Sequence, residues 1–307
     1  EEGILTVSCA GGAHAAAHIE MHANECALDS AEIRISGLKG GHSGAEIDKG
    51  RANSSMLLGR VLCALEQKTP LRVISVSGGL KDNAIPTASV ALVAADAGAV
   101  QAVCAEMDAA FKKEYRVNDP AITVSARPAE SSLLPMDEAS SRSAVCLLAC
   151  LPNGIQAMSA DMPGLVQTSL NLGILTTEAD SVLATFCVRS NMNTQKEMLL
   201  QKLELLCDLL GGKMSVSGSY PAWEFREDSP LRSLIVEVFT EQYGHAPKIE
   251  VLHGGVECGM LADKLPGLDA VSMGPEVNQI HTPRERMYIS SVQRTWNLVL
   301  ETLRRLH

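Results

Sequence analysis

The stretch Leu38-Lys39-Gly40-Gly41-His42-Ser43-Gly44 sets an imidazole among glycines, two directly before it and one two places after. Glycine allows tight turns and close approach to another molecule, so such a loop presents a histidine and does not bury it. Alone, the stretch is compatible with a solvated turn as well as with a working imidazole. His281 lies in Asn278-Gln279-Ile280-His281-Thr282-Pro283, where the proline stiffens the loop. That setting suits a metal ligand, which zinc needs at about 2.0 to 2.1 Å, and equally an exposed loop histidine. Glu257 stands between Gly254-Gly255 and Gly259, where backbone amides can approach a ligand. His253 could hydrogen-bond either a ligand or that glutamate, which could instead be a solvated carboxylate. Arg189 closes the apolar run Phe186-Cys187-Val188. Its guanidinium could clasp a carboxylate with two parallel bonds or form an ordinary ion pair at a strand end. Asn83, in Asp82-Asn83-Ala84-Ile85-Pro86, could donate its amide to a carboxylate or developing oxyanion, or form an Asx turn. The other histidines, His14, His18, His22, His245 and His307, read as structural or solvated; nothing near the i, i+4 pair His18 and His22 completes a metal set.

These residues need elements to hold them. Ile4 to Ala10 reads as a buried strand that opens into a loop at Gly11-Gly12, and Ala31 to Gly37 alternates like a half-exposed strand leading into the His42 loop. Met56, Leu57, Val61, Leu62 and Leu65 recur at helical spacing between Gly50 and Gln67. Leu71 to Ser77 and Ala88 to Ala94 are strands connected through Asn83, a helix runs from about Ala97 to Tyr115, and Ala121 to Ala126 is again a strand. The order β-α-β-β-α-β is that of a ferredoxin-like sandwich. After a break at Arg127 to Asp137 come a helix to Cys150, strands Thr168 to Leu175 and Ser181 to Val188, a helix from about Thr194 to Leu210 and a short strand Lys213 to Ser217. This set either extends the same sheet or repeats its plan, and no sequence repeat decides between them. A boundary falls near Tyr220-Pro221-Ala222-Trp223. Beyond it the spacing predicts a helix Ser229 to Tyr243, strands Lys248 to Leu252 and Leu268 to Met273, and a last helix Ser290 to Leu306. Strands alternating with helices imply an α/β layer with functional groups at strand C-terminal ends.

The chain has 307 residues, enough for two ordinary domains, and 46% hydrophobic with 20% charged residues describes globular protein. A net charge of -10 and 3% aromatic content argue against a nucleic-acid partner, which would need clustered Lys and Arg and stacking rings. No apolar run reaches the roughly 18 residues of a membrane span. Nine scattered cysteines without a Cys-x-x-Cys read as reduced thiols of a cytoplasmic protein. The opening Glu1-Glu2-Gly3 resembles neither a signal peptide nor a natural start, so upstream sequence is expected.

Taken together, Gly37-Leu38-Lys39-Gly40-Gly41-His42-Ser43-Gly44, Asn83-Ala84-Ile85-Pro86, Arg189-Ser190, His253-Gly254-Gly255-Val256-Glu257-Cys258-Gly259 and Ser272-Met273-Gly274-Pro275 with His281-Thr282-Pro283 resemble the aminoacyl-histidine dipeptidases. These are zinc peptidases of the group that includes aminoacylase and succinyl-diaminopimelate desuccinylase. Five separated motifs in the family's order make the resemblance specific. It implies an α/β fold in which a zinc-peptidase catalytic domain, here residues 1–26 and 218–307, is interrupted by an inserted ferredoxin-like α+β lid at 27–217 that also mediates homodimer formation. It implies two zinc ions per intact site, other divalent metals being possible, and hydrolysis of Xaa-His dipeptides by a metal-bound hydroxide. His281 would be a zinc ligand. His42 would bind substrate or stabilise the tetrahedral intermediate, Asn83 and Arg189 would lie near the substrate carboxylate, and His253 and Glu257 would line the cleft. The family's remaining ligands, a His-x-Asp motif, a bridging Asp and a Glu-Glu pair, would lie upstream of residue 1, so the chain alone is expected to be incomplete and inactive. A related zinc amidohydrolase, aminoacylase or tripeptidase, and a non-catalytic binding or dimerisation protein are the alternatives.

Overall fold

The computed structural model describes residues 2–280 and 282–306; His281 therefore lies outside the described residues. In chain order the strands and helices begin with β1 (Ile4–Cys9), β2 (Gly11–Glu20), β3 (Ser30–Ser36), β4 (Gly41–His42), α1 (Ser54–Glu66), β5 (Leu71–Gly78), β6 (Ala84–Ile85), β7 (Ser89–Ala95) and α2 (Ala97–Glu114). They continue with β8 (Thr123–Pro128), α3 (Glu138–Cys150), β9 (Gly154–Met158), β10 (Val166–Thr177), β11 (Ser181–Ser190), α4 (Asn193–Leu209) and β12 (Gly212–Tyr220). The last are α5 (Pro230–Tyr243), β13 (Lys248–Leu252), α6 (Glu257–Lys264), β14 (Val277–Asn278), β15 (Arg286–Met287) and α7 (Ile289–Arg305).

Two compact units result. One comprises residues 12–189 and 194–219, the other residues 1–11, 190–193 and 220–307. The larger is built on a single sheet of order β12-β2-β11-β10-β5-β7-β3-β8, with β9 paired to β10. Its β5-β7-β3-β8 half has the antiparallel ferredoxin-like arrangement expected from β-α-β-β-α-β, for example Ile33 opposite both Ala91 and Ala126. The other half, β12-β2-β11-β10, repeats the same strand order using α3 and α4. The second set thus both extends the sheet and repeats its plan.

The repeat was hidden because its first strand, β2, precedes the whole of the first half. Gly11-Gly12-Ala13-His14-Ala15-Ala16-Ala17-His18-Ile19-Glu20 reads as the loop following Gly11-Gly12, because Gly and Ala carry little strand preference. In the fold it is a ten-residue strand with Ala13, Ala15, Ala17 and Ile19 buried and His14, Ala16, His18 and Glu20 alternating with them. Small side chains suit an interior strand flanked on both sides. The core is aliphatic, as the composition implies, and one cluster runs beneath both halves, from Ala15 and Ile19 through Ile33, Leu58, Leu62 and Val93 to Leu170, Phe186 and Leu203. Asn53 starts α1 by accepting from the amides of Ser55 and Met56 at 3.0 and 3.3 Å, satisfying donors that a helix leaves unpaired.

In the smaller unit β1 pairs in parallel with β13, from Ile4 opposite Lys248 to Cys9 opposite Leu252. The expected strand Leu268 to Met273 reduces to one bridge in which Thr6 and Ser272 exchange amide bonds of 2.8 and 2.9 Å. The apolar run there is bounded by Gly267 and Gly274, leaving little length for a ladder. Helices α5 and α7 pack around Phe239, Val238 and Leu298.

Candidate active site

The His42 loop is fixed at both ends by one carboxylate. Asp119, completely buried just after α2, accepts from the amide of Lys39 at 2.7 Å through Oδ1 and from that of Ala52 at 2.8 Å through Oδ2. Within the loop, Glu46 accepts from the amide of His42 at 2.9 Å while its own amide donates to the His42 carbonyl at 2.9 Å. Arg51 closes the arrangement, 3.0 Å from Glu46 Oε1 and donating to the Gly40 carbonyl. The His42 amide and Arg51 hold the Glu46 carboxyl below its usual range. Gly41, at φ 145°, has a backbone conformation that L side chains rarely adopt, and a Cβ there would displace the ends of the Arg51 and Glu46 side chains, 2.4 and 2.7 Å away.

This scaffold also selects the tautomer of the imidazole. Nδ1 of His42 accepts from the amides of Gly44 and Ala45 at 3.1 and 3.0 Å, so the neutral ring carries its proton on Nε2. Partial burial and the nearby Arg189 charge lower its pKa below the ordinary histidine value, against the opposing influence of Glu46. At neutral pH the ring is therefore an uncharged Nε2–H donor.

Asn83 is brought to the same place. Strand β4 pairs with β6, His42 opposite Ala84, and the Ser43 amide donates to the Asn83 carbonyl at 2.9 Å. The turn carrying Asn83 rests on β10, where Asn171 Nδ2 donates to the carbonyls of Asp82 and Ala84, each at 2.9 Å. Arg189, at the end of β11, is close enough to act on the charge of His42. Beneath it Cys187 is buried; desolvation raises its thiol pKa, and Arg189 opposes the rise. Ser43, only 2% exposed, lies against the same thiol. His42, Asn83 and Arg189, three of the residues singled out in the sequence, thus share one locality of the larger unit. Asp119 and Cys187 were not legible as part of it, since nothing in their local sequence distinguishes them from ordinary turn or core residues; Ser43 and Asp82 stand in the quoted stretches, but their side chains carried no signal there.

His253 and Glu257 belong to the smaller unit. His253 follows β13, its Nδ1 3.3 Å from Asn191 Oδ1, and Asn191 in turn donates to the Leu252 carbonyl and to Ser8 Oγ at 3.2 and 3.3 Å. Glu257 is exposed in the first turn of α6, where the helix dipole favours a carboxylate. No hydrogen bond joins it to His253 among the described residues. Gly255 and Gly259 serve packing here: a Cβ at either would meet the Tyr220 ring or the Pro221 carbonyl at 2.7 Å. Among the described residues no group of three or more His, Cys, Asp or Glu is arranged to hold a metal ion.

Residues 33–119, which include the His42 loop, α1, Asn83 and α2, match a known domain, the peptidase dimerisation domain. This segment is thus similar to the dimerisation domain of M20 peptidases. This dimerisation domain coincides with most of the first ferredoxin-like half, and the second half extends its sheet. Over 311 aligned positions the chain is 30% identical to the cytosol non-specific dipeptidase of Escherichia coli (strain K12), covering 100% of this chain and 64% of that protein. It also superposes on the crystal structure of aminoacylhistidine dipeptidase from Vibrio alginolyticus with a TM-score of 0.92 and 30% identity, covering 99% of this chain and 63% of that one. The resemblance to aminoacyl-histidine dipeptidase read from the five motifs therefore extends from the dimerisation domain to the whole chain. The chain spans a little under two thirds of the length of these relatives.

Proposed function

We propose that the protein acts as a metal-dependent dipeptidase in which the larger unit of this chain binds the peptide. The observation that carries this reading is His42: an uncharged imidazole, locked as an Nε2–H donor and set beside Arg189. A neutral donor suits an oxygen on which negative charge develops, because it stabilises that charge without first attracting an anion to itself. In this reading Arg189 takes the C-terminal carboxylate of the dipeptide in two-pronged fashion and Asn83 donates its amide beside it. The dipeptidase names of the relatives support hydrolysis of peptide bonds.

Zinc, two ions per complete site, is the metal implied by the resemblance, with His281 as one ligand and His253 and Glu257 lining the cleft. The described residues do not by themselves make such a site. Preference for Xaa-His dipeptides, including carnosine-like ones, follows from the resemblance and from the name of the Vibrio alginolyticus relative. The dimerisation domain supports a homodimer, and nine free thiols with a relative named as cytosolic support a cytoplasmic protein. No helix among the described residues is long and apolar enough to cross a membrane.

The test is a substrate panel on the full-length protein, with and without a chelator: Xaa-His and other dipeptides, tripeptides and N-acyl amino acids. Chelator-sensitive cleavage of dipeptides is the expected result. Preference for acyl amino acids or tripeptides would transfer the protein to the related amidohydrolases, and dimer formation without any cleavage would make it a binding or dimerisation protein.

A further inference from the structure

Strand β2 brings a further group to the face that carries Arg189. His14 alternates with the buried Ala13 and Ala15, so it stands on the side of the sheet away from their core. Its Nδ1 lies 2.5 Å from Asp82 Oδ2, with the two side chains 41% and 30% exposed. The approach is close, and His14 Nδ1 is screened from solvent with this carboxylate oxygen beside it. Over the ring stands Gly218 of β12, at φ 57°, where a Cβ would come within 3.0 Å of His14 Cδ2.

Asp82 immediately precedes Asn83. Its backbone rests on β10, while His14 belongs to β2, and β11 with Cys187 and Arg189 lies between them in the sheet. Adjacent strands are about 4.8 Å apart, so the pair bridges roughly 10 Å of sheet directly over the strand that carries Arg189. An ion pair this exposed contributes little to global stability. What it can do is hold the Asp82 side chain, because the bonds from Asn171 of β10 and from Ser43 grip the turn at its backbone carbonyls and leave its side chains unheld.

We propose that His14 and Asp82 form a latch that sets the Asn83 side chain against Arg189, making both positioning residues of the carboxylate-binding site. The inference rests on the dipeptidase reading for what the site binds, but the latch itself is testable without a ligand. In the 307-residue chain, the amides of Ser43 and Ala84, which close the turn on the Asn83 and Lys81 carbonyls, report its order by hydrogen exchange. His14→Leu and Asp82→Ala should speed exchange at both amides about fivefold. His14→Asn, whose Nδ2 can occupy the place of Nδ1, and Asp82→Asn, which keeps an acceptor, should restore it. His18→Leu, an exposed change on the same strand, should leave it unaltered. In the full-length protein, His14→Leu should raise KM for a dipeptide more than it lowers kcat, with His14→Asn near wild type and no effect on a dipeptide amide. Unchanged exchange in His14→Leu, or a His14→Asn protein that behaves like His14→Leu, overturns the latch. Faster exchange together with equal handling of dipeptide and dipeptide amide by the wild type sustains the latch and overturns the carboxylate reading.

Discussion

The amide of Ser43 donates to the carbonyl of Asn83 at 2.9 Å, tying the histidine loop to the asparagine turn across 40 residues of sequence. With His42 opposite Ala84 in the short β4-β6 ladder, the two segments form one piece of backbone. A disturbance of either should be felt at the other, and the following outcomes depend on that coupling.

Asp119→Ala should destabilise the larger unit by about 2 kcal/mol, because it leaves the buried amide of Ala52 and the partly buried amide of Lys39 without their charged acceptor. Urea unfolding measures the loss. Hydrogen exchange at those two amides should rise together with that at Ser43. A change below about 0.5 kcal/mol would mean that the loop has another anchor.

His42 should titrate with a midpoint below the ordinary histidine value, followed by its ring resonances in NMR. Arg189→Ala should move the midpoint up and Glu46→Gln should move it down, since the first removes a repelling charge and the second an attracting one. The unfolded chain binds this proton more readily than the folded one. On account of His42, stability is therefore unaffected well above pH 6.5 and falls as pH drops from there to the folded midpoint. A midpoint above 6.5 would contradict the loop geometry.

Arg189→Ala in the full-length protein should raise KM for dipeptides about 100-fold, the scale of a two-pronged charge-assisted contact, with a smaller change in kcat. Steady-state kinetics on a dipeptide and its C-terminal amide separate the effect, since the amide should be a poor substrate for the wild type and no worse for the variant. Equal loss on both would place Arg189 elsewhere than at the carboxylate.

Gly173→Ala should cost about 2 kcal/mol or more, because its Cβ would fall 2.3 Å from the Asp82 carbonyl oxygen and 2.4 Å from the Asp82 Cα. Backbone cannot yield as a flexible side chain does. The Asn83 turn should lift from β10, which faster exchange at Ser43 and Ala84 would report. A neutral substitution would show that the turn does not rest on that strand.

The sequence by itself determined what local pattern can carry. Helical periodicity gives α1 and α2, alternation gives β3, the apolar return after the Asn83 turn gives β7, and their order gives the first ferredoxin-like half; the glycines around His42 announce a presented imidazole, and five motifs carry the family resemblance. Tertiary structure alone decided the rest, because it depends on partners far apart in the chain. The alanine-rich β2 becomes a strand only when β11 and β12 flank it, and it then opens the second half from a position ahead of the first. Asp119 closes the His42 loop from 80 and 67 residues away, a relation no local spacing encodes. The state of His42 was likewise beyond local pattern. Its tautomer comes from the folded path of the Gly44 and Ala45 amides, and its lowered proton affinity from burial and from an arginine on a strand that joins the sheet nearly 150 residues later.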